Sequence, residues 1–174
     1  YLGYLVTRAD AKLGTLASLR GKRVGWVSRE STSGFLFPRA MLRYRALDPD
    51  KFFAPDPHFG GNHRATLEAL VEGKVDVAAV ANSFVDPGPQ RLIADDIALN
   101  VVAKTARIPF DCVVLRSDIA RSYALKLRTA LLSLSNHAPT REKLAETLGI
   151  NGFVPYTQQR YADVTQLLAA ERSE

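Results

Sequence analysis

One cysteine, one methionine, one tryptophan and three histidines among 174 residues leave little material for metal or redox chemistry. Cys112 stands alone, so an intramolecular disulfide and a cysteine-based zinc or iron–sulfur site within one chain are excluded. His58 and His137 have no acidic or cysteine partner at ligand spacing, and no metal or other cofactor is expected. No apolar run reaches the roughly 18–20 residues that a bilayer span needs, so the chain is not expected to span a membrane. The charged and apolar segments of a signal peptide are missing from its start. Tyr1 to Val6 reads instead as the middle of a strand, and the expectation is a trimmed chain or a fragment. A Gly-x-Ser-x-Gly elbow and the Gly-Lys-Ser/Thr ending of a phosphate loop are also lacking. A strong excess of one charge is absent too. Lys plus Arg number 23 against 18 Asp plus Glu, a net +5 that is scattered along the chain. The nearest basic run, Arg39 to Arg45, alternates with Ala40, Met41, Leu42 and Tyr44 as one helix face would. Nucleic-acid binding, which calls for a clustered stripe, is not expected. A mild positive field suits a small anion.

What is present is ordinary globular composition, 47% hydrophobic and 24% charged, in a chain long enough to bury a core. Tyr1–Thr7, Arg23–Val27, Val75–Ala81, Leu99–Lys104 and Cys112–Arg116 read as strands. The last of these implies a buried, inert thiol. Thr15–Leu19 reads as one helical turn stopped at Gly21, and Ser31–Gly34 as a loop feeding a helix with Pro38 in its first turn. Asp48–Pro57 is a connector, and Pro87-Gly88-Pro89 breaks the chain again. Asn62 caps a helix carrying Leu67, Leu70 and Val71 and closed by Gly73. Further helices are expected over 119–134, from a Thr140 cap to Gly149, and over 157–170. Strands alternating with helices predict an α/β fold with a largely parallel sheet across 22–104 and helices on both faces.

Ligands of open α/β sheets bind beyond the carboxyl ends of the strands. Two strand–loop–helix junctions meet that requirement. The first carries Ser31, Thr32, Ser33 and Gly34, whose hydroxyls and backbone N–H groups suit an oxyanion at a helix start. Plain helix capping is the competing reading. The second carries Gly60, Gly61, Asn62 and His63, where His63 either donates to an anion or sits in solvent beside a cap. Asp111 follows Ile108-Pro109-Phe110 and either meets a partner or faces solvent as a turn cap. Asp76 reads as ordinary chemistry at the start of a strand.

In order, several stretches resemble the phosphonate/phosphite/phosphate-binding periplasmic proteins that feed ABC transporters. They are Ser18–Val24, Ser31-Thr32-Ser33-Gly34-Phe35-Leu36-Phe37-Pro38, Gly61-Asn62-His63, Gly73–Val80, Ile108-Pro109-Phe110-Asp111 and Leu148–Pro155. The resemblance implies a periplasmic-binding-protein-like (type II) two-lobe α/β fold with one lobe incomplete. Residues 9–106 would form the second lobe, and 1–8 with 107–174 the hinge strands and the remaining part of the first. It implies Ser31, Thr32, Ser33 and His63 as ligands of a phosphorus oxyanion, and Asp111 as acceptor from a protonated oxygen or an ammonium. The family's ligand-facing aromatic residues would be missing or lie outside the chain. The resemblance further implies an ABC-transporter permease as partner, no catalysis, and a periplasmic or lipid-anchored extracytoplasmic location. A ligand-sensing domain of a membrane receptor is the alternative, and an enzyme reusing the fold, with Asp111 and His63 as its one acid–base pair, is a further one. Family members that bind aminoalkylphosphonates carry an acid just after the Val-Asp-x-Ala-x-Val strand. This chain has Asn82-Ser83-Phe84 there, with Asp86 the nearest acid. That departure favours phosphite, phosphate or a small uncharged alkylphosphonate.

Overall fold

A computed structural model describes residues 1–88, 90–92 and 97–171. Pro89, part of the expected chain break, lies outside the described residues. Five strands, β1 (Gly3–Arg8), β2 (Val24–Trp26), β3 (His58–Phe59), β4 (Val77–Ala81) and β5 (Leu99–Lys104), form one sheet in the order β3-β2-β4-β1-β5. β2 runs parallel to β3 and β4, but β1 runs antiparallel to both β4 and β5. The sheet is therefore mixed, which corrects the largely parallel expectation. Local sequence favours an extended backbone, whereas strand direction follows from the connections and the partners available.

Alternation along the inner strands divides the core between the two faces of the sheet. Leu5, Val77 and Ala79 pack on one face with Trp26, Phe35, Leu36, Leu42 and Phe52. Tyr4, Val6, Ala78 and Val80 pack on the other with Leu67, Ala69 and Leu70. The helices α1 (Phe37–Tyr44) and α3 (His63–Val71) thus cover opposite faces. This is why Val75–Ala81 carries so few polar residues. The starts of β2 and β4 are tied by Asp76, whose carboxylate accepts from the Arg23 backbone N–H at 3.0 Å and from its guanidinium at 2.7 and 3.1 Å. The Asp48–Pro57 connector contains a further helical turn, α2 (Pro49–Phe52), capped by Asp48. Phe52 and Phe53 anchor it in the core.

Beyond the sheet the chain is helical: α4 (Arg121–Ser133), α5 (Ala138–Leu148) and α6 (Ala162–Glu171). α5 starts at His137 rather than at the expected Thr140 cap, and Gly149 closes it in the left-handed conformation at φ 68°. Cys112–Arg116 is not a strand, and Cys112 is exposed, correcting the reading of a buried thiol. The run is apolar enough for a strand, yet among the described residues no edge pairs with it; Val114 is 79% exposed.

The expected loop at Ser31–Gly34 is helical as well. Thr32–Leu36 forms one π-helical turn that leads directly into α1. Gly34 makes this turn possible, because a Cβ there would lie 2.4 Å from Val27 Cγ2. Val27 has no room to retreat, since its N–H donates to the Gly34 carbonyl at 3.2 Å. Gly34→Ala should destabilise the chain by about 1–3 kcal/mol, the usual cost of overpacking. Urea unfolding of the two proteins checks this.

Candidate functional site

The parallel strands β2, β3 and β4 all deliver their carboxyl ends to one edge of the sheet. Because β1 is antiparallel, its beginning reaches the same edge, with Gly3 opposite Ala81. Four segments follow from that edge: the π-helical turn after β2, the start of α3 after β3, residues 82–86 after β4, and residues 105–111 after β5. Sequence reading placed its candidate residues on three of them.

Ser31 caps the π-helical turn, its Oγ accepting from the Gly34 N–H at 3.0 Å. The capping reading therefore holds for Ser31. Thr32 and Ser33 come next and differ from it. Ser33 is only 3% exposed, and both hydroxyls lie near enough to the Tyr1 phenol to lower its pKa. Tyr1 itself is bound to the segment ahead of Asp111. Its carbonyl accepts from the Ile108 N–H at 2.9 Å, and its ring lies 5.3 Å from that of Phe110. Burial raises the Tyr1 phenol pKa, the Asp111 charge raises it further, and the Ser33 and Thr32 hydroxyls pull the other way. The phenol thus stays protonated at neutral pH, able both to donate and to accept. Thr32, Ser33 and the Asp111 charge all act on this phenol, although Asp111 is exposed.

His63 is neither free in solvent nor a surface cap. Its ring stacks on Phe84 at 4.5 Å and 21°, and its Nδ1 accepts from the Ala81 N–H at 3.2 Å. An Nδ1 that accepts must be unprotonated, so the neutral ring carries its hydrogen on Nε2. Burial lowers the His63 pKa to about 4. The side chain is therefore a neutral donor rather than a cation. It stands one strand pair from the hydroxyl group, since Ala81 faces Gly3 and Gly3 lies against the Ser33 carbonyl.

Tyr1 is the functional side chain that sequence reading missed. An aromatic residue does lie beside the candidate hydroxyls, where none was expected within the chain. The only available signal was a tyrosine at the head of the first expected strand. Asp86, the nearest acid after β4, is committed internally. One oxygen accepts from the Tyr4 hydroxyl at 3.1 Å and from Asn82 Nδ2 at 3.0 Å. Two shallow clefts flank α3, one lined by Arg64, Leu67 and Ile97 and the other by His58, Ala65 and Lys74. Neither contains Thr32, Ser33, His63 or Asp111. Among the described residues no group of three His, Cys, Asp or Glu side chains could hold a metal ion, and no helix is long and apolar enough to cross a membrane.

The His63 environment has a consequence for stability. An unfolded histidine titrates near 6.5 and the folded one near 4, so the folded state disfavours the proton. This contribution is complete above the unfolded value and is lost as pH falls from about 6.5 towards about 4. His63→Asn retains an acceptor for the Ala81 N–H without a titrating ring. Urea unfolding across that window should show the parent losing stability relative to the variant, whereas parallel curves would contradict the buried neutral ring.

The family model described as ABC transporter, phosphonate, periplasmic substrate-binding protein matches residues 1–161. Phosphate-import protein PhnD of Mycolicibacterium smegmatis is 33% identical over 92 residues, covering 49% of this chain and 29% of that protein. A binding protein component of an ABC phosphonate transporter from Pseudomonas aeruginosa superposes with a TM-score of 0.75 at 23% identity, over 99% of this chain and 58% of that one. PhnD1 from Prochlorococcus marinus, solved in complex with methylphosphonate, gives 0.75 at 17% identity over 99% of this chain and 67% of that one. At these identities the structures show the fold alone: a type II periplasmic-binding-protein α/β fold, of which this chain spans a part. On the match across residues 1–161, the chain belongs to the family of periplasmic substrate-binding proteins of phosphonate ABC transporters.

Proposed function

We propose that the protein captures a phosphorus oxyanion, a phosphonate, phosphite or phosphate, for delivery to an ABC-transporter permease, and that it does no chemistry on it. The observation that carries this reading is the grouping of the Thr32, Ser33 and Tyr1 hydroxyls with one carboxylate, Asp111, at the carboxyl edge of the sheet. Hydroxyls and the backbone N–H groups at the start of a helical turn supply donors to a tetrahedral anion. Ser31 contributes by holding the turn, and His63 by offering Nε2–H as a neutral donor. The family's membership in transport supports a binding rather than a catalytic role, and a periplasmic or lipid-anchored extracytoplasmic location.

The proposal keeps the division into a lobe of residues 9–106 and a second body made of 1–8 and 107–174. Both core clusters draw on residues up to Ala103, and neither draws on 107–174 among the described residues. That later portion carries most of the exposed large apolar side chains, Phe110, Val114, Tyr123 and Val154 among them. Apolar exposure on this scale fits a surface completed by further protein. On the ligand's organic side, one Asp86 oxygen is already taken by Tyr4 and Asn82, which weakens it as a partner for an ammonium tail. Phosphite, phosphate and small uncharged alkylphosphonates are accordingly the preferred class.

A fixed carboxylate accepts a hydrogen bond from a P–OH group, but meets only lone pairs and like charge on a fully ionised oxyanion. Asp111 should therefore select singly protonated anions and reject sulfate. Calorimetric titration with methylphosphonate and sulfate across pH tests this. The parent should lose methylphosphonate affinity as the ligand's last proton leaves, and Asp111→Asn, whose amide can donate, should lose that dependence and gain sulfate binding. In the same assay Thr32→Val should weaken methylphosphonate binding by about 1.5–3 kcal/mol, the range for hydrogen bonds to charged groups. Unchanged affinity in Thr32→Val together with unchanged ligand preference in Asp111→Asn would overturn the site.

A further inference from the structure

Among the described residues, the segment that carries Asp111 is held at few points. Ile108 exchanges backbone hydrogen bonds with Tyr1, and beyond it Pro109–Arg116 joins no strand. Asp111, Cys112, Val113 and Val114 are all exposed. A side chain in such a stretch would ordinarily wander, yet an acceptor that discriminates between protonation states must keep its place closely.

Among the described residues, one long-range hydrogen bond reaches this stretch. The Tyr161 hydroxyl donates to the Phe110 carbonyl at 2.8 Å, across 51 positions of sequence. That carbonyl belongs to the same planar peptide unit as the Asp111 N–H, so fixing one fixes the other. The Phe110 ring is held separately, 5.3 Å from Tyr1. The Phe110–Asp111 junction is thus gripped from two sides, by the first strand's leading residue and by the C-terminal helical region.

Tyr161 is well placed to grip. It ends the short helical turn Gln158–Tyr161, immediately before α6. Its ring stacks on Tyr156 at 5.4 Å and 23°, and its carbonyl accepts from Thr165 Oγ1 at 3.0 Å. Desolvation raises the pKa of its phenol, and the nearby Cys112 and Asp111 raise it further, so the hydroxyl keeps the proton that it donates.

We infer that Tyr161 is a positioning residue for Asp111: it touches no ligand, and it sets the carboxylate's place by pinning the Phe110 carbonyl. This rests on the reading of Asp111 as the acceptor that selects the ligand's protonation state. Through Tyr161 the packing of the C-terminal region onto residues 110–112 becomes part of ligand selection.

Tyr161→Phe keeps the ring and its stacking on Tyr156 and removes only the donor. In the ligand-free protein, the nitrogen-15 order parameters of the Asp111 and Cys112 amides should fall while the thermal midpoint changes little. In calorimetry, methylphosphonate affinity should fall about three- to tenfold, as for loss of one ordinary hydrogen bond, and discrimination against sulfate should narrow. The effect must vanish when Tyr161→Phe is added to Asp111→Ala, because that variant leaves no polar side chain to position. If Asp111→Asn alters ligand preference while Tyr161→Phe alters neither order parameters nor preference, the positioning role is wrong. An equal loss of affinity from Tyr161→Phe in both backgrounds also overturns it. If Asp111→Asn leaves preference unchanged, the underlying site reading fails, and the inference with it.

Discussion

Gly3 is the point at which the sheet and the candidate site are forced together. Its missing side chain lets the Ser33 carbonyl approach so closely that a Cβ would sit 2.6 Å from that oxygen. Its N–H donates to Thr105 Oγ1 at 2.9 Å, its carbonyl accepts from the Thr105 N–H at 2.9 Å, and Ala81 faces it across β4. Three chain segments and the π-helical turn therefore converge on one residue. Tyr1 then reaches the turn from two residues upstream, and His63 reaches the same edge through Ala81. A larger residue at position 3 would push the Thr32–Ser33 turn away from Tyr1.

The donors identified beside the candidate hydroxyls are neutral rather than cationic. His63 is held uncharged by burial, and Tyr1 keeps its proton under the combined effect of burial and Asp111. Arginines are plentiful in the chain, but those with strong partners serve the scaffold: Arg23 with Asp76, and Arg39 with Asp50 at 2.7 and 2.8 Å. A site of dipoles with one carboxylate holds an anion by directed hydrogen bonds and not by bulk charge. Such a site distinguishes anions by where their protons are. A cluster of guanidiniums would mostly distinguish them by total charge.

Much of this architecture was legible in the residue pattern, and the failures have a common cause. The uninterrupted apolar run to Ala81 reads correctly as a strand covered on both faces, and Asn62 and Gly73 read correctly as the ends of α3. Asn62 Oδ1 accepts from the Ala65 N–H at 2.9 Å, and Gly73 sits at φ 72°. These features are set within a turn or two of the chain. Strand direction, the fate of Cys112–Arg116 and the place of Tyr1 are not. β1 is antiparallel because of which neighbours it finds, and the apolar run after Asp111 stays unpaired because no sheet edge lies alongside it. Tyr1 gains its importance from contacts with Thr32, Ser33 and Phe110, none near it in sequence. Ser31 shows the intermediate case. Its capping role was readable from composition, whereas the widened turn that separates it from its two neighbours depends on Val27 crowding Gly34.

The central claim is that Thr32, Ser33 and His63 face one oxyanion. Titrating isotope-labelled protein with methylphosphonate, while following the Thr32 and Ser33 backbone amides and the His63 Nε2–H by nuclear magnetic resonance, tests it most directly. The account predicts that all three signals shift together and saturate with a single dissociation constant, the His63 ring remaining neutral throughout. Shifts confined to only one of the two junctions, or fitting different constants, would contradict it.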